Sequence, residues 1–255
     1  MPNTVIKNPI LNIPGNAQIN SKQRVSDHGE VLTGAREVNA MLDLVKQETE
    51  RIESRFLEPA CGDGNFLAEV LNRKLAVVRK RYRRSQFEYE RNAVVAVGSL
   101  YGIDILEDNV LACRERLHAI FEREYGALYG KHVREDCLRS IRFILHRNII
   151  WGDALSLTTV GPNPAPIIFS EWSAVNGMQI KRRDFAFRDL SRESQMKRGD
   201  TFGPLQASLF GEVQESLFTA LNEPLVSDTG EPAFIPEPVR EFPLTSFLRI
   251  ADADA

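Results

Sequence analysis

The stretch Arg55-Phe56-Leu57-Glu58-Pro59-Ala60-Cys61-Gly62-Asp63-Gly64-Asn65-Phe66-Leu67, RFLEPACGDGNFL, changes its pattern halfway along. Before Pro59 it is a short strand, Arg55 to Glu58. After Gly64 the apolar residues Phe66, Leu67, Val70, Leu71 and Leu75 recur at helical steps, which predicts a helix opening near Asn65. Between them lies a tight turn with Gly62 and Gly64. Glycine permits positive φ and a close approach to the backbone, and the helix start behind it exposes unpaired N–H groups. Taken alone, a turn of this kind after a first strand holds a dinucleotide, a mononucleotide or nothing.

The alternation continues outward. Upstream, Val38, Met41, Leu42 and Val45 place an amphipathic helix over about Glu37 to Ile52. Downstream, a helix over about Ser85 to Val97 leads into a strand at Leu100-Tyr101-Gly102-Ile103-Asp104. Asp108 reads as the cap of a helix carrying Val110, Leu111, Leu117 and Ile120. A helix from about His132 to Leu145 precedes a third strand, Asn148-Ile149-Ile150-Trp151, and Ile167-Ile168-Phe169 reads as a fourth. Strands alternating with helices predict an α/β fold, a mostly parallel sheet covered by helices on both faces. Residues 1–20, rich in Asn and Pro, read as a flexible arm, and 21–185 as the domain. Residues 186–255 form an irregular extension with one helical island around 208–221 and an edge strand or partner-packing segment within 234–250.

A chain of 255 residues, 43% hydrophobic, is large enough for one domain with extensions. No stretch approaches the length of a membrane span. The formal net charge of −3 argues against coating nucleic acid by bulk attraction. Two basic clusters stand out: Arg79-Lys80-Arg81-Tyr82-Arg83-Arg84, with Arg73 and Lys74 before it, and Lys181-Arg182-Arg183. Each reads as a phosphate contact or as a solvated face. Cys61, Cys113 and Cys137 have no metal-type spacing and need not pair, which fits a reducing cytoplasm and no metal site.

Three successive strands end in polar residues: Glu58, Asp104 and Asp153. A carboxylate at the second strand's exit suits ribose hydroxyls, and the crevice at the carboxyl ends of parallel strands is the usual binding edge. A pyrophosphate signature is missing, since Leu67 stands where G-x-G-x-x-G needs its last glycine. Asp153 suits an adenine amino group. The bare alternative for Asp104 and Asp153 is a turn or helix cap, and the same holds for Thr33.

With these pieces in order, the chain resembles the S-adenosylmethionine-dependent, adenine-specific DNA methyltransferases of restriction–modification systems. The matching motifs are Gly29-Glu30-Val31-Leu32-Thr33-Gly34, Glu58-Pro59-Ala60-Cys61-Gly62-Asp63-Gly64-Asn65-Phe66, Gly102-Ile103-Asp104 and Gly152-Asp153-Ala154-Leu155. They run from about Gly29 to Leu155, and Gly34 departs from the family's usual proline. The resemblance implies a Rossmann-like methyltransferase fold and S-adenosyl-L-methionine as cofactor. It implies that Thr33, Glu58, Ala60 and Gly62 surround the methionine end, that Asp104 holds the ribose and Ile105 packs on the adenine ring, and that Asp153 and Ala154 meet the adenine edge. Cys61 reads as a small buried residue of the turn rather than a nucleophile.

In that family the fourth strand ends in D/N/S-P-P-Y/F/W. There a side chain and a backbone carbonyl accept the hydrogens of the exocyclic amine, and an aromatic ring stacks on the flipped base. Here no such tetrapeptide occurs. Asn163-Pro164-Ala165-Pro166 precedes the apolar run and would sit at the wrong edge of the sheet. At the expected place stand Ser170, Glu171 and Trp172. One reading keeps Ser170 or Glu171 as the amine's acceptor and Trp172 as the stacking platform. The other makes Trp172 a core or interface aromatic and pairs Glu171 with Arg182 or Arg183.

The functions that follow are an adenine-specific methyltransferase acting on double-stranded DNA together with a second protein subunit for target recognition or catalysis, or a catalytically inactive, cofactor-binding or structural subunit of such a complex. A more distant option is an enzyme acting on RNA or protein amides.

Overall fold

The computed structural model describes residues 33–190 and 236–252. The expected arm at 1–20, the residues Gly29 to Leu32 of the leading motif and the helical island at 208–221 lie outside the described residues. In chain order the elements are helices α1 (Ala35–Leu44) and α2 (Lys46–Thr49), strand β1 (Phe56–Glu58), and helices α3 (Asn65–Tyr82) and α4 (Gln86–Gly98). Strand β2 (Leu100–Asp104), helices α5 (Glu107–Tyr129) and α6 (Glu135–Asn148), strand β3 (Ile149–Asp153) and the short β4 (Thr158–Thr159) follow. The hairpin β5 (Ile168–Ala174) and β6 (Gln179–Ala186) comes next, then β7 (Arg240–Glu241) and β8 (Thr245–Ser246).

Local chemistry explains several boundaries. The leading helix, expected as one piece to Ile52, breaks at Val45, whose φ of −117° and ψ of 34° leave the helical region. Ser85 caps α4 by accepting the Glu88 N–H. Asp108 does not start α5, which opens one residue earlier at Glu107. The Asp104 carboxylate accepts the Leu106 N–H at 2.9 Å and so anchors that start.

Strands β1, β2 and β3 are parallel and adjacent in chain order, with Phe56 opposite Leu100 and Gly102 opposite Ile149; β4 adds antiparallel to β3. The α/β architecture of parallel strands flanked by helices is present, and among the described residues the long helices pack against one face. Right-handed crossovers between successive neighbouring strands all fall on one side of a sheet. Alternate residues therefore feed two separate cores. Phe56, Leu100 and Ile149 pack with Leu67, Leu71, Val94, Leu117 and Ile144 of the helices. Leu57, Tyr101 and Ile103 pack with Ile167, Phe169, Phe185 and Phe187. Among the described residues the second face is covered by the β5–β6 hairpin and by Phe187 and Leu190, which follow β6, with Phe169 edge-on to both Tyr101 and Phe187. Each such buried large apolar side chain contributes about 1.5–3 kcal/mol.

The apolar run expected as a fourth parallel strand behaves differently. It extends to Ala174 and pairs antiparallel with β6 along its whole length, Ile168 opposite Ala186 and Ala174 opposite Ile180. The connection is a turn through Asn176 and Gly177, where Gly177 takes φ of 57°. β6 was not legible because it is built from Lys181, Arg182, Arg183 and Asp184. β7 and β8 pair with β6, so residues 240–246 belong to this second sheet.

Helices α3 and α5, 18 and 23 residues long, reach about 27 and 35 Å at 1.5 Å per residue, well past strands of five residues or fewer. Beyond the sheet's N-terminal edge, α3, α4, α6 and α5 each pack on two neighbours and close a four-helix bundle around Val78, Tyr89, Phe121, Tyr125 and Ile141. Lys74 is fully buried where α3 passes that edge. Its ammonium donates to the carbonyls of Arg51, Ile52 and Ser54 and to the Ser99 hydroxyl, tying the starts of β1 and β2 to the helix. No helix among the described residues is long and apolar enough to cross a membrane.

Candidate functional site

The turn between β1 and α3 is held from below. Gly62 takes φ of 52°, which aims its N–H at Asp104 Oδ2, 2.8 Å away. Gly64, at φ 91°, begins α3, and a Cβ there would lie 2.7 Å from the Cys113 sulfur on α5. A Cβ on Gly102 would meet the Cys61 sulfur at 3.1 Å, and one on Gly152 would meet Ile167 at 2.8 Å. Every glycine of the three strand-exit motifs therefore has a backbone or packing reason to be glycine.

Asp104 is nearly buried, and three donors hold it: Gly62 N–H on one oxygen, Leu106 N–H and the Asn109 amide on the other, at 2.9 and 3.2 Å. A carboxylate has about four acceptor positions, so one remains for a ligand hydroxyl. Glu58 stands beside it. Burial, with the neighbouring Asp104 charge adding to it against one backbone hydrogen bond from Ala60, pushes the Glu58 carboxyl up to about 7.

The remaining expected residues gather on this edge. Thr33 is exposed, and its carbonyl accepts from the Asn65 amide at the start of α3. Ala60 is exposed in the turn. Ile105 is 50% exposed, while its carbonyl accepts the Trp151 indole N–H at 3.0 Å; the backbone is pinned and the side chain free to meet a flat ring. Asp153 accepts the Leu155 N–H at 2.9 Å, the turn-capping arrangement, and Ala154 packs against the second core. Thr33, Glu58, Ala60, Gly62, Asp104, Ile105, Asp153 and Ala154 thus lie at or beside the carboxyl ends of β1 to β3.

Ser170, Glu171 and Trp172 do not join them. Ile167 touches the Gly152 position at the top of β3, but Ser170 N–H donates to Asn148, the residue before β3. Glu171 pairs with Arg55, the residue before β1, at 2.7 Å. A Cβ on Gly98, before β2, would lie 3.0 Å from the Trp172 side chain. β5 thus descends across the sheet and delivers these residues to the N-terminal edge. From Leu100 to Asp104 the strand alone spans four steps, about 13 Å at 3.3 Å each. The expected placement of Ser170, Glu171 and Trp172 beside the cofactor residues is therefore corrected: the strand runs against β1–β3 rather than with them.

All three are buried, and their partners explain them as structure. Ser170 donates to Asp184 at 2.7 Å, and Asp184 forms a two-point pair with buried Arg182. Glu171 accepts from Arg55, Ser173 and Arg183. Trp172 lies edge-on to Phe143 with the Arg182 guanidinium over its ring. Lys181 pairs with Glu241, so this second basic cluster is committed to the β5–β6 sheet.

Three neighbours of the turn escaped the sequence reading. Asn109 is buried against Asp104, Cys113 fills the space under Gly64, and Arg116 ties Asp63, at 2.5 Å, to Asn65. All lie on one face of α5, so their common signal was helical spacing after Asp104. A hydrogen bond with Cys113, with burial adding to it, raises the Cys61 thiol, which keeps it unreactive. All three cysteines are unpaired and buried. No protein-family model, curated protein or solved structure matches the chain.

Proposed function

We propose that this chain is an S-adenosyl-L-methionine-binding, methyltransferase-like subunit of a DNA-modification system, supplying the cofactor half of a Rossmann-like methyltransferase while a partner subunit grips the target base. The observation carrying this reading is the Gly62–Asp104 hydrogen bond at 2.8 Å beside the raised Glu58 carboxyl. It supports the reading because a glycine turn, a carboxylate suited to ribose hydroxyls and an acidic neighbour suited to the ligand's ammonium stand on one edge. One βαβαβ half binds a mononucleotide-sized group, which suits adenosine. In this reading Ile105 stacks on the adenine and Asp153 with Ala154 meets its edge. Cation binding between Glu58 and Asp104 draws the proton off Glu58. Unpaired cysteines fit action in the cytoplasm.

The autonomous adenine-specific DNA methyltransferase is the alternative, favoured by the exposed Ile105 and Leu155 flanking an open strand edge. It requires an amine-gripping group near that edge other than Ser170, Glu171 and Trp172.

Calorimetry with S-adenosylmethionine tests the first statement: binding is expected and is lost in Asp104→Ala. Absence of binding by the native protein overturns it. Transfer of labelled methyl to duplex DNA, by the protein alone and with the product of the adjacent gene, separates the two readings. Activity of the pair only supports the subunit; activity of the chain alone supports the enzyme.

A further inference from the structure

The far end of the four-helix bundle carries an excess of cations, although the first turn of α6 adds Asp136, beside Arg139 at 3.3 Å, and Glu135, beside Arg142 at 4.0 Å. The last turn of α3 presents Arg79, Lys80 and Arg81, and the connection to α4 adds Arg83 and Arg84, all exposed. This connection is anchored against the end of α5: Tyr129 Oη donates to the Arg83 carbonyl at 3.3 Å, and Gln86 donates to the His132 carbonyl at 2.7 Å. The contact brings in exposed Arg123 and Lys131. Within this surface Glu124 is shared between Arg79 at 3.6 Å and Arg123 at 3.9 Å. At its margins Glu88 is held by Arg91 and Glu122 faces His118. Lys80, Arg81, Arg83, Arg84 and Lys131 make no ion pair with any described residue.

Complementing the helix dipole needs a cation or two in the last turn. It does not account for Arg83, Arg84 and Lys131, which lie beyond the helix ends. Nor is this the bulk character of the chain, whose net charge is −3; an excess of cations here is offset by acids elsewhere. We infer that this bundle end is a docking surface for the phosphate backbone of duplex nucleic acid.

Three features select that partner. Duplex DNA offers one negative charge per about 1.7 Å of axis, which a cluster of unpaired cations neutralises with release of counterions. Tyr82 and Tyr129 are half-buried, so no open aromatic platform favours a single strand. A membrane surface asks for an apolar face beside the cations, and the exposed large apolar residues, such as Met41, Leu44, Ile105 and Leu155, lie on other elements. Contacts of this kind position a duplex without reading its sequence. The surface lies about 27 Å along α3 from the Gly64 turn at 1.5 Å per residue, so it is separate from the cofactor edge and does not depend on what binds there.

The test is fluorescence anisotropy of the full chain with labelled duplexes of two unrelated sequences, titrated with salt. The native protein is expected to bind both with equal, salt-dependent affinity. Arg81→Glu with Arg84→Glu should lower the salt slope by about one per cation removed and weaken binding about tenfold or more at low salt. A control with the same change in net charge, Arg36→Glu with Lys46→Glu on α1 and α2, should retain both. The inference is overturned if the native chain shows no salt-dependent duplex binding, if both variants weaken alike, or if anionic phosphatidylserine vesicles are preferred to duplex at equal salt. Calorimetry with S-adenosylmethionine on the same variants should be unchanged, so failure of the cofactor reading and failure of this one are separately visible.

Discussion

Replacing Glu171 by alanine separates a structural from a chemical role for the most suggestive residue of the sequence. Glu171 is buried and accepts from Arg55, Ser173 and Arg183 at 2.7, 2.6 and 3.1 Å. Removing one partner of a buried ion pair costs about 3–5 kcal/mol, because the remaining charge is left uncompensated. Here the side chains of Arg55 and Arg183 are 16% and 31% exposed, and water reaching Arg183 recovers part of that loss, leaving about 2–4 kcal/mol. For a chain of this size each kcal/mol moves the melting temperature by roughly 2–4 °C, so a fall of about 10 °C is expected. Calorimetric affinity for S-adenosylmethionine should stay within about twofold, since the residue acts at the other end of the sheet from Asp104, about 13 Å or more by strand length. Thermal unfolding and binding are measured on the same preparation. An unchanged melting temperature together with lost cofactor binding or methyl transfer refutes the placement of Glu171 as structure.

Two further outcomes follow from the turn. Gly64→Ala combines a φ of 91° with a Cβ 2.7 Å from the Cys113 sulfur, so denaturant unfolding should report a loss of about 2–4 kcal/mol. Adding Cys113→Ala should recover only the steric part, because the backbone strain remains. Glu58 has a folded pKa of about 7 against an ordinary 4.5. Its folded state keeps a proton that the unfolded chain releases, so stability is full below pH 4.5 and falls as pH rises towards 7, by roughly 3 kcal/mol. Glu58→Gln should flatten that slope, and affinity for a cationic ligand should rise across the same window in the native protein alone.

The parts of the fold legible in the sequence are those in which one residue pattern has one physical solution. Phe56-Leu57, Pro59, Gly62, Gly64 and the helical spacing from Phe66 to Leu75 admit little besides strand, turn and helix, and β2 ends at Asp104 as its composition requires. The hairpin was illegible for the opposite reason. In β6 the inward positions include Arg182 and Asp184, which neutralise one another, while Arg182 lies over the Phe242 ring from a segment some sixty residues on. A strand whose buried face is an ion pair shows no apolar alternation, and its partner is too remote in sequence to signal it.

The candidate site shows a subtler limit. Glycine at positions 62, 64, 102 and 152 is required here by φ or by contacts with Asp104, Cys113, Cys61 and Ile167, contacts a ligand-free fold would equally need. The motif's glycines therefore report how tightly the strands and helices approach, and it is the polar residues left with spare capacity that speak of a ligand. Asp104 keeps one acceptor position after three donors, Glu58 is pushed up by burial with the Asp104 charge adding to it, and Ile105 keeps an uncovered side chain on a pinned backbone. Ser170, Glu171 and Trp172 show the reverse. Their types fit a base-gripping role, but strand direction, which residue type does not encode, carries them to the other edge, and there their side chains are engaged by Asp184, by Arg55, Ser173 and Arg183, and by Phe143 and Arg182.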